Sequence, residues 1–161
     1  MERLVELVSN MDKSFKTADH LASVTFPLLK DPKLLVQIIW NLNKSLNLGM
    51  EALLYYERMY KRIGMYPENF MMRFEIFQKE VVPKYKISGD HVSLVLEVND
   101  LIDKREKSPM EFRRKGEYII CYNDYKMKKL SIDLIKEYLL KAKPFILFVT
   151  NIINNDIRRR R

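Results

Sequence analysis

"DPKLLVQIIWNLNKSLNLGMEALLYYERMYKRIG", residues 31–64, decides the fold. Leu35, Ile39, Leu42, Leu46, Gly49, Leu53, Tyr56, Tyr60 and Ile63 recur in it at strict 4-3 spacing, the period of a helix that buries one packed seam. Asp31 can cap such a helix, and Pro32 suits its first turn, where a missing N–H costs nothing. The spacing predicts a helix that runs to about Ile63 and is ended by Gly64. Some thirty residues at ~1.5 Å each make a rod of about 45 Å.

The same period extends to both sides. Upstream, residues 2–29 carry Leu4, Val8, Met11, Phe15, Ala18, Ala22, Thr25 and Leu29 on one stripe. The very short link at 30–32 makes this helix an antiparallel neighbour of the next. Downstream, Phe70, Phe74, Phe77 and Val81 mark a third helix that Pro83 should stop. "KISGD" is a break, after which Ser88 or Asp90 can cap a continuation carrying Leu94, Val98 and Leu101 and limited by Pro109. The last helix begins after Ser131 on the seam Ile132, Ile135, Leu139, Ala142, Ile146, Val149 and Ile153, with a kink or break expected at Pro144. Phe70, Phe74, Phe77 and Trp40, at helical spacing, read as core. The expected architecture is all-α, an antiparallel up-and-down bundle of four long helical arms, the third and fourth open to breaks at Pro83/Gly89 and Pro144. Residues 1–157 form one domain on this reading, followed by a basic tail at 158–161.

One stretch departs from the helical period. "EYIICY" is β-branched and aromatic, "YKMKKL" follows, and "ND" sits between them as a turn. This predicts a short β-hairpin inserted at about 112–130, with strands near 117–122 and 126–130. Tyr118, Ile120 and Tyr122 fall on one face and Ile119 and Cys121 on the other. Both faces are apolar, so the strand needs cover on both sides, and the bundle supplies only one. A loop, a second copy or a ligand is left for the other.

The charge distribution points at the same region. Net charge is +8. Residues 1–103 hold 13 Lys/Arg against 14 Asp/Glu, whereas residues 104–161 hold 16 against 7. The excess therefore lies wholly in the last third, which suggests a polyanionic or acidic partner. One cysteine excludes an intrachain disulfide and a CxxC site, and suggests a reducing, cytoplasmic setting. The charged N-terminal stretch "MERLVELVSNMDKSFK" does not read as a signal peptide. "PFILFVTNII" is far short of the ~20 apolar residues of a membrane span.

Catalytic constellations are sparse. Neither His20 nor His91 has the Glu-x-x-His spacing of a bundle-core di-iron site, because Thr17 and Ser88 stand three residues before them. No phosphate-binding glycine loop or nucleophile elbow occurs. Cys121 reads as a small buried hydrophobe. No enzymatic activity, cofactor or metal is expected. A compact bundle with a basic insertion before its last helix resembles, in architecture, the HEPN group of prokaryotic helical proteins, many of them RNases. Arg113 and Arg114 stand where that group's arginine stands in chain order, but no histidine follows His91, so the resemblance implies at most a catalytically inactive relative.

Three binding readings remain. In the first, the chain contacts nucleic acid, RNA more than DNA, through Arg113, Arg114, Lys115, Tyr118, Tyr125, Lys126, Lys128 and Lys129, with Arg158, Arg159, Arg160 and Arg161 adding to the patch. Cations neutralise phosphates, and tyrosine rings stack on unpaired bases. In the second, it is a protein-interaction or oligomeric module, with an acidic protein or a second copy meeting a Tyr/Met surface of Tyr55, Tyr56, Tyr60, Met71 and Met72. The third, membrane-surface association through residues 141–161, competes with burial of the last helix's own seam.

Overall fold

The computed structural model describes residues 1–107, 110–114, 116–122 and 126–161, and only the backbone of Met110 and Phe112. The described chain is mostly helical, with five continuous helices and one small antiparallel sheet. The first helix consists of α1 (Glu2–His20), a π-helical turn (Leu21–Thr25) and α2 (Phe26–Leu29). It is followed by α3 (Lys33–Met59), and then by α4 (Phe70–Ile76), a second π-helical turn (Phe77–Val81) and α5 (Val82–Tyr85). Next come α6 (Gly89–Glu106), the strands β1 (Met110–Arg114), β2 (Glu117–Tyr122) and β3 (Lys126–Leu130), and finally α7 (Ile132–Arg160).

Helix α3 is the axis of the packing, in contact with α1, α6, α7, the second π turn and β2. Its seam residues Leu35, Ile39, Leu42, Leu46, Gly49 and Leu53 are buried, as their spacing predicts. Ser45 is buried beside them and donates to the Met11 carbonyl of α1 at 2.8 Å, so this polar group in the α1–α3 contact is satisfied. Buried residues from the helices and the sheet join one continuous core. Ser88 accepts from the Asp90 amide, Ser131 from that of Leu134 and Asn69 from that of Met72, so these three cap the helices they precede. Asp31, by contrast, stands one residue before Pro32, the N-cap of α3, and accepts from the Lys33 amide.

The helix ends depart from the sequence-based expectation. Helix α3 stops at Met59 and not at Ile63, because Lys61 turns left-handed (φ 58°) ahead of Gly64. The Arg62 amide then donates to the Glu57 carbonyl and the Lys61 amide to that of Arg58, the paired bonds of a Schellman end. Pro83 does not stop its helix either. The preceding residue, Val82, donates to the carbonyl five back, that of Phe77, and the helix continues to Tyr85. The same arrangement carries the first helix past Pro27, with Phe26 donating to the Leu21 carbonyl. A π turn re-spaces the carbonyls where the proline ring would crowd the backbone. Both segments then end on a left-handed lysine, Lys30 or Lys86. In the first helix the seam ends on buried Phe26, and Leu29 is exposed. The third arm expected from the sequence is thus two helices, separated at residues 86–88. Pro144 leaves α7 continuous. Pro144 and Leu140, whose carbonyl loses its partner, are both exposed, so water can satisfy it.

Lys86 carries a side chain in a conformation that glycine adopts freely. Lys86→Gly is expected to stabilise the fold by about 0.5–1 kcal/mol after the entropy glycine adds to the unfolded chain. That amounts to a rise of roughly 1–4 °C in the melting midpoint, read by thermal unfolding.

The hairpin is instead a three-stranded sheet, because residues 110–114 add an antiparallel strand to β2. The expected turn at Asn123 and Asp124, and the limit at Pro109, lie outside the described residues. Trp40 is the largest departure in the core assignment: it is 53% exposed on α3. It shares the helical phase of Lys33, Gln37 and Lys44, all exposed, and not that of Ile39 and Leu42.

Candidate nucleic-acid interface

Strand order β1-β2-β3 makes β2 the centre and leaves β1 and β3 as edges. Register sets the faces, since directly opposed residues point the same way. Tyr118 stands between Arg113 and Leu130, Ile120 between Glu111 and Lys128, and Tyr122 opposite Lys126. Tyr118, Ile120 and Leu130 all join the helical core, so this face is turned to the helices. The opposite face holds Arg114 opposite Glu117, Ile119 opposite Lys129, and Cys121 opposite Met127. Ile119 is buried although it lies outside the core cluster, so the chain itself covers the second face at this point. Cys121 is half-buried.

The predicted binding residues are therefore dispersed. Tyr118 is only 7% exposed, packed inward beside the core, and offers no ring face to a base. Burial, and then the neighbouring Glu111 carboxylate, push its phenol above the ordinary value, so it stays neutral. Lys115 and Tyr125 lie outside the described residues. Arg113 is exposed and bonded to Asp31 at 3.4 Å. Arg114, Lys126 and Lys129 are exposed, and Lys128 is half-buried. Arg113 and Arg114 lie on one edge strand and the three lysines on the other, about 10 Å apart across β2. Among the described residues, Arg114, Lys126, Lys128 and Lys129 have no carboxylate partner, whereas Arg105 is paired with Glu111 and Lys104 with Asp100. Lys104 also lies over the Tyr122 ring at 4.5 Å. Beside the sheet, Lys30 and Lys136 line a recess with Phe26, Pro27, Gly116 and Ile132, which extends the cationic surface onto α2 and the first turns of α7.

The arginine tail does not join this surface. Strand β3 leads directly into the start of α7, and the arginines are at its far end, 29 helical residues or about 43 Å away. There Arg160 is already engaged: it bonds Tyr60 Oη and Asp156 at 3.0 Å and stacks over the Tyr60 ring. Arg158, Arg159 and Arg161 are exposed.

That far end holds a group the spacing did not reveal. Glu57, on α3, is 1% exposed. Its carboxylate accepts from Arg62 Nε at 2.8 Å and Nη2 at 3.1 Å, from Lys84 Nζ at 2.8 Å, and from a short bond with Tyr85 Oη. Burial pushes the Glu57 carboxyl upward, but the bonds from Arg62, Lys84 and Tyr85 outweigh it and hold the group below its ordinary value. Arg62 also lies over Tyr56 and Tyr60, at 5.3 and 4.5 Å. The tyrosines expected to form an open interface, Tyr55, Tyr56 and Tyr60, are thus half-buried, and Tyr56 and Tyr60 are held by their own chain, while Met71 and Met72 are exposed. A signal for Glu57 existed in the phase it shares with Leu46, Met50 and Leu53, but a charge in that stripe is ordinarily read as a helix edge.

His91 packs 5.9 Å from the Phe145 ring, and burial pushes its imidazole below the ordinary value. Among the described residues, no cluster of three His, Cys, Asp or Glu side chains could hold a metal ion, and no helix is long and apolar enough to cross a membrane. No protein-family model, curated protein or solved structure matches the chain.

Proposed function

We propose that the protein binds nucleic acid, RNA in preference to DNA, as a non-enzymatic, cytoplasmic binding protein, with the β3 edge at the centre of its contact surface. The observation that supports this reading is the run Lys126, Lys128 and Lys129 on an edge strand, with no carboxylate partner among the described residues. Lysines on an edge also discourage strand-to-strand aggregation, a role compatible with phosphate contact. In the same reading the helices around α3 form an antiparallel up-and-down bundle of four arms, with the sheet closing one end.

Each phosphate neutralised on a single strand contributes about −0.7 to the slope of log K against log salt. Changing Lys126, Lys128 and Lys129 together to Gln is expected to reduce that slope by about 2 and to weaken RNA binding at least ~10-fold at physiological salt. Fluorescence anisotropy of a labelled single-stranded RNA across a salt series measures both quantities. Wild-type affinity and slope in the triple variant would remove β3 from the site.

A second reading, a protein-interaction or oligomeric module, draws on the exposed Met65, Met71 and Met72. Light scattering that gives a dimer mass, lost when Met71 and Met72 are changed to Gln, would favour it.

A further inference from the structure

We infer that Trp40 is the base-stacking residue of this protein and that the exposed stripe of α3 is a binding site for an unpaired nucleobase. The inference rests on the nucleic-acid reading above and names the residue that recognises a base in it.

Helix α3 is enclosed along most of its length by α1, α6 and α7. Near its start it leaves one stripe to solvent, Lys33, Gln37, Trp40 and Lys44 at 4-3-4 spacing. Three of these are side chains that water favours. The fourth is the only tryptophan in the chain, and it is half exposed. Lys44 stands one turn on, its Nζ 5.6 Å from the indole centroid. Lys33 and Gln37 lie one to two turns back. An indole face flanked by two lysines and one amide is the equipment of a single-strand platform: the ring stacks, the ammonium groups meet phosphates, and the amide can bond a base edge.

This stripe also leads to the sheet. Lys33, Val36 and Gln37 line a recess of about 310 Å³ with Arg105 of α6, Glu111 of β1 and Tyr118 of β2. Glu111 is the acidic member, and Arg105 is paired with it at 3.4 Å. A strand leaving the β1 edge would cross this recess and reach Trp40 about 10 Å along α3 from Lys33. The sequence placed the stacking surface on the sheet tyrosines and the tryptophan in the core. Burial of Tyr118 and exposure of Trp40 reverse the two.

With one tryptophan in the chain, indole emission excited at the red edge, where the nine tyrosines do not absorb, reports this site alone. The full chain would be titrated with a single-stranded oligonucleotide of about ten nucleotides and, separately, with inorganic polyphosphate, a polyanion without bases. RNA is expected to quench the indole emission strongly, and polyphosphate to leave it nearly unchanged while it binds. Trp40→Leu is expected to weaken RNA binding by anisotropy about 5- to 150-fold, the range for loss of one stacked base, with salt slope and polyphosphate binding retained. Trp40→Phe should recover part of the loss. RNA binding without quenching, and equal in Trp40→Leu, would overturn the inference and leave the nucleic-acid reading standing. No RNA binding at any salt would overturn both. An emission shift that depends only on protein concentration would assign the stripe to a second copy of the chain and overturn the inference as well.

Discussion

Changing Arg62 and Lys84 together to alanine is expected to remove about 3–5 kcal/mol of folding stability, the cost of leaving a buried carboxylate without its cations. At ~2–4 °C per kcal/mol for a chain of this size, the melting midpoint should fall by about 6–20 °C. Glu57 is 1% exposed and would keep only Tyr85 as a side-chain partner. Arg62 and Lys84 are each 39% exposed, so the opposite change, Glu57→Leu, lets both cations move into water and is expected to cost much less. Urea unfolding of the two variants at neutral pH compares these costs. Equal losses would mean that a Glu57 carboxylate stripped of its cations costs no more than removing the whole network, and that the charge is not the main term at this site.

The pH dependence of the same pair is expected to reverse sign. In the wild type the folded-state carboxyl lies below its ordinary value, so its stabilisation is complete above about pH 4.5 and is lost as pH falls through the folded-state value. Without Arg62 and Lys84, burial dominates and raises the carboxyl above 4.5. Stability is then greatest on the acid side and is lost as pH rises through the new value. Urea midpoints between pH 3 and 7 should therefore rise with pH in the wild type through this group and be flatter or falling in the variant.

The second large effect is expected at Gly49, where α1, α3 and α7 meet. A Cβ built there would lie 3.0 Å from Phe145 Cε1 and 3.1 Å from Met11 Sδ. Gly49→Ala gains about 1 kcal/mol of helix propensity and spends a comparable amount on pushing the Met11 thioether and the Phe145 ring aside, so little net change is expected. Gly49→Leu gains nearly the same helix propensity but must fit three carbons more than alanine against Phe145 and Met11, which are themselves fully buried. It should cost about 3 kcal/mol, the upper part of the range for overpacked cores. Gly64, with open space around it, serves as the control: Gly64→Ala should leave the urea midpoint nearly unchanged. A stable, cooperative Gly49→Leu protein would show that the helices separate there at little cost.

Periodicity alone located the buried stripes. Leu35 to Leu53 on α3 and Ile135 to Ile153 on α7 are core where the 4-3 pattern puts them, and Ser88 and Ser131 cap the helices they precede. These are properties of one helix and its immediate neighbours in sequence, so a local pattern suffices. The prolines were less legible. Pro83 is a stop signal by local rules, but Phe77 and Val81 are buried against the core, and a π turn keeps the helix running so that they can remain there.

The candidate site depended still more on what meets what. Strand β1 was missed because "MEFRR" alternates too briefly to announce itself, and it exists by pairing with β2. The hairpin cations and the arginine tail are neighbours in the last third of the sequence, but α7 holds them about 43 Å apart. Tyr118 and Trp40 changed places for the same reason: a strand's inward face and a helix's outward stripe are set by which neighbour covers them. The sequence by itself determined the helices, their seams, most of their caps and where the positive charge accumulates, because spacing and capping act within a turn or two of the chain. Only the tertiary structure decided which cations share a surface, which aromatic ring faces water and which carboxylate is sealed inside, because burial depends on residues distant in sequence.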